Sequence, residues 1–221
     1  MTTTIYLLRH AEMAANVPGH GSDGALTRPS DLLYGAFENA PLTRRGEQQA
    51  EWAAEGVASY RLVAAYASPY RRAVMTAAAA ARPHDLTVIP DDALVERHFG
   101  EWDGLTAGEI AERDPPGVAL FDSSPTFAPP DGESLEAVVE RAYPALEDVA
   151  RRHAGEAVLV VSHKTVIRAV MCHILGMPLE SYRRIGQHNC ALNVLHIGGE
   201  RIDVALINDT CHLERSGSQC G

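Results

Sequence analysis

Ile5-Tyr6-Leu7-Leu8-Arg9-His10 decides the reading of this chain, because a short apolar run stops abruptly at two ionisable residues. A run of this length reads as a buried strand that delivers Arg9 and His10 at its C-terminal end. The pattern recurs twice: residues 62–66 run into Ser68, Arg71 and Arg72, and residues 157–161 run into Ser162-His163-Lys164. Helical patterns lie between these runs, at residues 43–60, 71–81, 134–153 and 165–175, with Thr43 and Ser134 placed as N-caps. Strands alternating with helices predict an α/β fold, a three-layer sandwich with a mostly parallel central sheet and helices on both faces. In open sheets of this kind ligands bind beyond the carboxyl ends of the strands, where this sequence sets its histidines and arginines.

The 221 residues, 46% of them hydrophobic, are enough to bury one sizeable core. A single domain over residues 1–213 is expected, with a flexible tail at 214–221. A net charge of −10, from 19 basic and 29 acidic residues, disfavours nucleic acid and anionic lipid as partners. No apolar run approaches the roughly 20 residues of a membrane helix. The N-terminus shows no basic-then-apolar leader pattern, so a cytoplasmic protein is expected, and a homo-oligomer is compatible with the sequence. Cys172, Cys190, Cys211 and Cys220 form no CxxC pair or short metal-ligand spacing, which predicts free thiols and no zinc site. Two stretches break the alternation: residues 17–40, rich in Gly, Pro, Asp and Ser, and residues 113–132, with five prolines. Both read as long loops. Residues 201–207 read as a last strand.

A single histidine at a strand end is ordinarily structural. Two of them, each beside or near a cation, point to phosphoryl chemistry. Neutral imidazole is a competent nucleophile toward phosphorus, and a covalent intermediate splits one hard step into two easier ones. The transferring group then needs positive charge and donors around its equatorial oxygens. Arg9 and Arg72 can supply planar forks of fixed charge.

Leu8-Arg9-His10-Ala11-Glu12, with Asn16 following, resembles the Arg-His-Gly-Glu signature of the histidine phosphatase superfamily, also called phosphoglycerate mutase-like. Pro41-Leu42-Thr43 with Gly46, Ser68-Pro69 through Arg72-Ala73, Glu96-Arg97-His98-Phe99-Gly100, Gly132-Glu133-Ser134 and Ser162-His163 continue the resemblance in the family's order. It implies a phosphorylated nucleophile at His10, a phosphate pocket of Arg9, Arg72 and His163, and Glu96 as proton donor. Asn16 is implied as an extra phosphate contact, and Glu12 reads as a structural anchor. No metal or other cofactor is called for, since the cations neutralise charge. The leaving alkoxide needs a proton, and a carboxyl beside a phosphate in an enclosed site favours its protonated form. The bland alternative is a surface ion pair of Glu96 with Arg97. Lys164 stands where many members have glycine and is a candidate contact for a substrate anion. His98 and Phe37 are further candidates for the substrate pocket, and His188 and Asn189 could also face it.

The activity expected is that of a metal-independent phosphomonoesterase acting on a small organic or sugar phosphate. The alternatives are a phosphoglycerate-type mutase, a phosphoprotein phosphatase and a non-catalytic binding module. A mutase must hold a second anion, yet Arg113 is the one Lys or Arg between residues 104 and 130, and Arg28 the one between 17 and 40. Leu32, Leu33, Tyr34, Phe37, Phe121 and Phe127 would suit an organic moiety or anchor a minor core. The first loop is longer than the family's usual connection and is expected to form part of a lid over the non-phosphate part of the substrate. A degenerate binder would lack one of His10, Arg9, Arg72, Glu96 or His163, and all are present.

Overall fold

In the computed structural model, which describes residues 1–14, 33, 37–199 and 201–213, the opening apolar run lies in strand β1 (Thr3–Arg9). Strands β2 (Leu62–Ala67), β3 (Val88–Pro90), β4 (Ala157–Ser162), β5 (Leu192–Gly198) and β6 (Arg201–Asp209) complete a sheet in the order β3-β2-β4-β1-β5-β6. The first four strands of that order run parallel, while β5 and β6 are antiparallel additions on the β1 side. The mostly parallel sheet is as expected. The expected last strand also forms, but β3 and β5 were not anticipated. β5 is Leu-Asn-Val-Leu-His-Ile-Gly, a period-two pattern of a strand with one face more exposed, unlike the continuous apolar runs of β1 and β4.

Helices α1 (Arg44–Val57) and α2 (Arg71–Ala81) cover one face, and α5 (Leu135–Arg152) and α6 (Lys164–Ile174) cover the other. The strand residues divide between the faces by alternation: Ile5, Leu7, Val158 and Val160 pack with α5 and α6, whereas Leu8, Leu159 and Val161 pack with α1 and α2. Helix α2 presents Ala73, Ala77, Ala80 and Ala81 to the sheet, a helical stripe of small side chains. Both expected caps form, Thr43 Oγ1 accepting from Gly46 N at 2.9 Å and Ser134 Oγ from Ala137 N at 3.0 Å.

Residues 113–132 differ from the expected loop. They hold the end of α3 (Ala107–Arg113) and all of α4 (Pro115–Ser123). Asp114 caps α4 by accepting from Gly117 N at 2.9 Å, and Pro115 and Pro116 occupy the first turn, where a missing N–H costs nothing. Two of the prolines that read as loop therefore start a helix. Phe121 and Phe127 join Phe99, Trp102 and Ile110 in a small separate core, with Leu33 packed against it. They are core anchors. Cys172 and Cys190 are buried free thiols, whereas Cys211 is disulfide-bonded, so the expectation of free thiols fails there. Among the described residues no helix is long and apolar enough to cross a membrane. Asn16, the tail at 214–221 and most of the expected lid at 17–40 lie outside the described residues.

Candidate active site

The register of β1 against β4 pairs Arg9 with Ser162, so the next residue of each strand, His10 and His163, emerges at the same end of the sheet. His10 N donates to Ser162 O at 2.9 Å, and the two imidazole centroids lie 5.1 Å apart. Both side chains are buried. His10 Nδ1 lies 2.8 Å from Ala11 O, and because a carbonyl can only accept, Nδ1 carries the proton. Nε2 is then left with its lone pair. Burial first, and then the Arg72 and Arg9 guanidinium groups, hold His10 well below its ordinary value, so the ring is neutral at neutral pH. His163 is lowered in the same way, by burial, then by Arg72 and His10. Neither ring nitrogen of His163 has a hydrogen-bond partner among the described residues. An unmade bond on a buried donor costs about 1–3 kcal/mol, which an anionic ligand at this position would recover.

Arg9 and Arg72 reach the same region from β1 and from the first turn of α2, and both are buried. Arg9 Nη1 donates to Gln187 O at 2.7 Å, and Arg72 Nη1 to Phe37 O at 2.6 Å. These carbonyl contacts orient the guanidinium planes without cancelling their charge. Thr76 links the two elements, accepting from Ala11 N at 3.0 Å and donating to Arg72 O at 2.7 Å. Tyr70, unremarked in the sequence, packs edge-on to His163 at 5.4 Å with Arg72 over its ring at 5.0 Å.

Glu96 is buried, and its carboxylate accepts two backbone hydrogen bonds, from Arg97 N at 2.9 Å to Oε1 and from Thr165 N at 3.2 Å to Oε2. The second holds it against the first turn of α6, whose N-cap His163 contributes no side-chain cap. Arg97 is not its surface partner. That guanidinium is buried, donates to Glu133 O at 2.8 Å and Phe127 O at 3.1 Å, and lies 4.5 Å over the Phe121 ring. Arg141 of α5 instead ties the segment down, binding both Glu133 carboxylate oxygens at 2.7 and 2.9 Å and Ala93 O at 2.7 Å, with a longer bond of 3.4 Å to Glu96 O.

The remaining candidates divide. Phe37 contributes its carbonyl to Arg72 and packs its side chain on Met13 and Ala40. His98 is exposed, with Nδ1 at 3.1 Å from both Gly100 N and Asp131 O, so local turn geometry engages it. His188 is exposed and bonds Asn208, whereas Asn189 Nδ2 donates to His10 O at 3.2 Å. Glu12 is an anchor, accepting from Thr43 Oγ1 at 2.8 Å; a Cβ at Gly46 would meet its carbonyl oxygen at 2.0 Å, which accounts for that glycine. Lys164 is half-buried at the first position of α6.

Sequence reasoning missed the supports behind Arg9. Asn193 of β5 donates to Leu7 O at 2.9 Å and accepts from Gln187 Nε2 at 2.6 Å, and Gln187 presents the carbonyl that orients Arg9. The sequence signal was a polar Asn between apolar neighbours in 192–198. It also missed Arg168, one helical turn beyond Lys164.

A neutral imidazole with a free Nε2 lone pair, two oriented cations, a second imidazole without hydrogen-bond partners among the described residues, and the Glu96 carboxyl group thus converge where the sheet ends. Residues 5–210 match the family model described as the histidine phosphatase superfamily (branch 1). The chain is 31% identical to phosphoserine phosphatase 1 of Hydrogenobacter thermophilus over 210 residues, covering 95% of this chain and 93% of the relative. It is 32% identical to a metal-independent phosphoserine phosphatase of Arabidopsis thaliana over 228 residues, with 97% and 85% covered. Among solved structures, Bacillus stearothermophilus YhfR superposes with a TM-score of 0.84 at 30% identity, over 96% of this chain and 100% of that one.

Proposed function

The chain belongs to the histidine phosphatase superfamily and is a phosphatase; from that premise we propose that it hydrolyses a small phosphate ester through a phosphohistidine at His10, without a metal. The observation that carries the reading is the tautomer of His10. With Nδ1–H bound to Ala11 O, the Nε2 lone pair is free in a ring kept neutral by burial and two cations. Nε2 attacks phosphorus while the P–O bond to the alcohol breaks, and Arg9, Arg72 and His163 hold the equatorial oxygens. Glu96, in its protonated form, gives its proton to the leaving oxygen. As a carboxylate it then takes a proton from the water that attacks the phosphohistidine, releasing inorganic phosphate and restoring His10. The names of the two relatives support phosphoserine as the first substrate to test.

The test is a panel of phosphate monoesters, O-phosphoserine and phosphoglycerates included, incubated with a chelator beside a His10→Ala variant. Phosphate release that survives the chelator and vanishes in the variant is the expected result. Isomerised phosphoglycerate without release would make the protein a mutase, and release abolished by the chelator would overturn the metal-independent reading.

A further inference from the structure

We propose that Lys164 and Arg168 form a second anion subsite beside the phosphoryl pocket, selecting phosphate esters that carry a further negative group, a carboxylate or another phosphate. The inference rests on the phosphatase reading above and concerns the part of the substrate that is not transferred.

Lys164 and Arg168 are four residues apart on α6, so their side chains share one face over a single helical turn. Both are half-buried. Among the described residues neither side chain makes a hydrogen bond or an ion pair, although the chain carries 29 acidic side chains. Arg168 Nε is fully buried without a hydrogen-bond partner among them. Long cationic side chains ordinarily carry their charge to water or to a carboxylate. Here they lie instead within the electrostatic reach of Glu96, and Lys164 also within that of Arg9, on the helix whose N-cap is His163. Burial first, then Arg9 and Arg168, hold the Lys164 ammonium below its ordinary value. Burial likewise lowers Arg168, with Arg183 adding to the effect. Clustered cations of this kind repel one another, and a bound anion relieves the repulsion.

Position gives the subsite its chemical meaning. Thr165 N, between the two cations in sequence, binds Glu96, the proposed donor to the leaving oxygen. The alcohol portion of a bound ester therefore leaves toward α6. The loops contain few cations, which argued against a second anion; the helix supplies them instead. A phosphorylated carboxylic acid or a bisphosphate meets both requirements, whereas a neutral sugar phosphate meets one.

The experiment compares kcat/KM for O-phosphoserine, 3-phosphoglycerate and fructose 1,6-bisphosphate with that for O-phosphoethanolamine, which is phosphoserine without its carboxylate. The wild-type protein is expected to prefer at least one doubly anionic ester by about tenfold or more. Lys164→Gln and Arg168→Gln are each expected to remove most of that preference. Whether serine and glycerate esters or the bisphosphate show the effect distinguishes a carboxylate from a second phosphate. Because both rates come from one protein sample, partial unfolding of a variant cancels in the ratio. A wild-type ratio near one, or a preference surviving both substitutions, would overturn the subsite while leaving the phosphatase reading intact. No release from any ester, an aryl phosphate included, removes both.

Discussion

His10 Nδ1 and the carbonyl oxygen of Ala11 lie 2.8 Å apart, and this one contact sets which ring nitrogen of His10 keeps its lone pair. The partner belongs to the adjacent residue, so the tautomer is built into the chain immediately after β1 and does not depend on a bound ligand.

Phosphorylation should therefore occur at Nε2. Rapid quench during turnover of a slow substrate, followed by NMR of the trapped protein, is expected to show phosphorus coupled to Nε2. A label at Nδ1 would contradict the assignment. His10→Ala should lower turnover by at least about a thousandfold, the scale of losing a covalent nucleophile.

Glu96 accepts backbone N–H groups on both oxygens, and Gln at this position keeps the shape while losing the transferable proton. Glu96→Gln is expected to lower kcat on an alkyl phosphate by about 10²–10⁴. The fall in the phosphoryl-transfer step should be smaller on an aryl phosphate, whose leaving group needs no proton. Equal losses in single-turnover rates on the two esters would argue that Glu96 only positions other groups.

Acid should destabilise the fold earlier than its carboxylates alone would. His10 and His163 are held well below their ordinary values, chiefly by burial. Below about pH 6.5 the unfolded chain takes up protons at these histidines while the folded chain does not. The unfolded state then binds more protons, so stability falls as pH falls, by about 1.4 kcal/mol per pH unit for each histidine. Urea unfolding between pH 7.5 and 5 measures the slope, and His163→Asn should make it shallower. A stability profile flat across that window would show that the histidines are not buried neutral.

Arg141 pairs with Glu133 through two of its nitrogens and holds the carbonyls of Ala93 and Glu96. Arg141→Met should lower kcat about tenfold with little change in KM, since it loosens the placement of Glu96 without touching Arg9, Arg72 or His163. Arg141→Lys should not restore the rate, because an ammonium cannot span both oxygens and both carbonyls. A change confined to KM would place Arg141 in substrate binding instead.

The legible parts of this protein were those encoded locally. The apolar runs before His10, before Ser68 and before His163 each became a strand, and Thr43 and Ser134 became caps, because burial pattern and capping act over a few residues. The same local rule misread residues 113–132, where proline density spoke for a loop although Pro115 and Pro116 sit where helices accept proline. The missed strand β5 has no long apolar run, since its sheet has turned antiparallel at that point and its faces alternate.

From the sequence alone came the α/β class, the strand ends that carry Arg9, His10, Arg72 and His163, and the family resemblance. Only the tertiary structure brought His10 within 5.1 Å of His163, hung Glu96 on the first turn of α6, and left Lys164 and Arg168 together without partners among the described residues. The reason is physical: a strand end is written in neighbouring residues, but a distance between groups more than 150 positions apart follows from sheet register and helix packing, which no short stretch of chain contains.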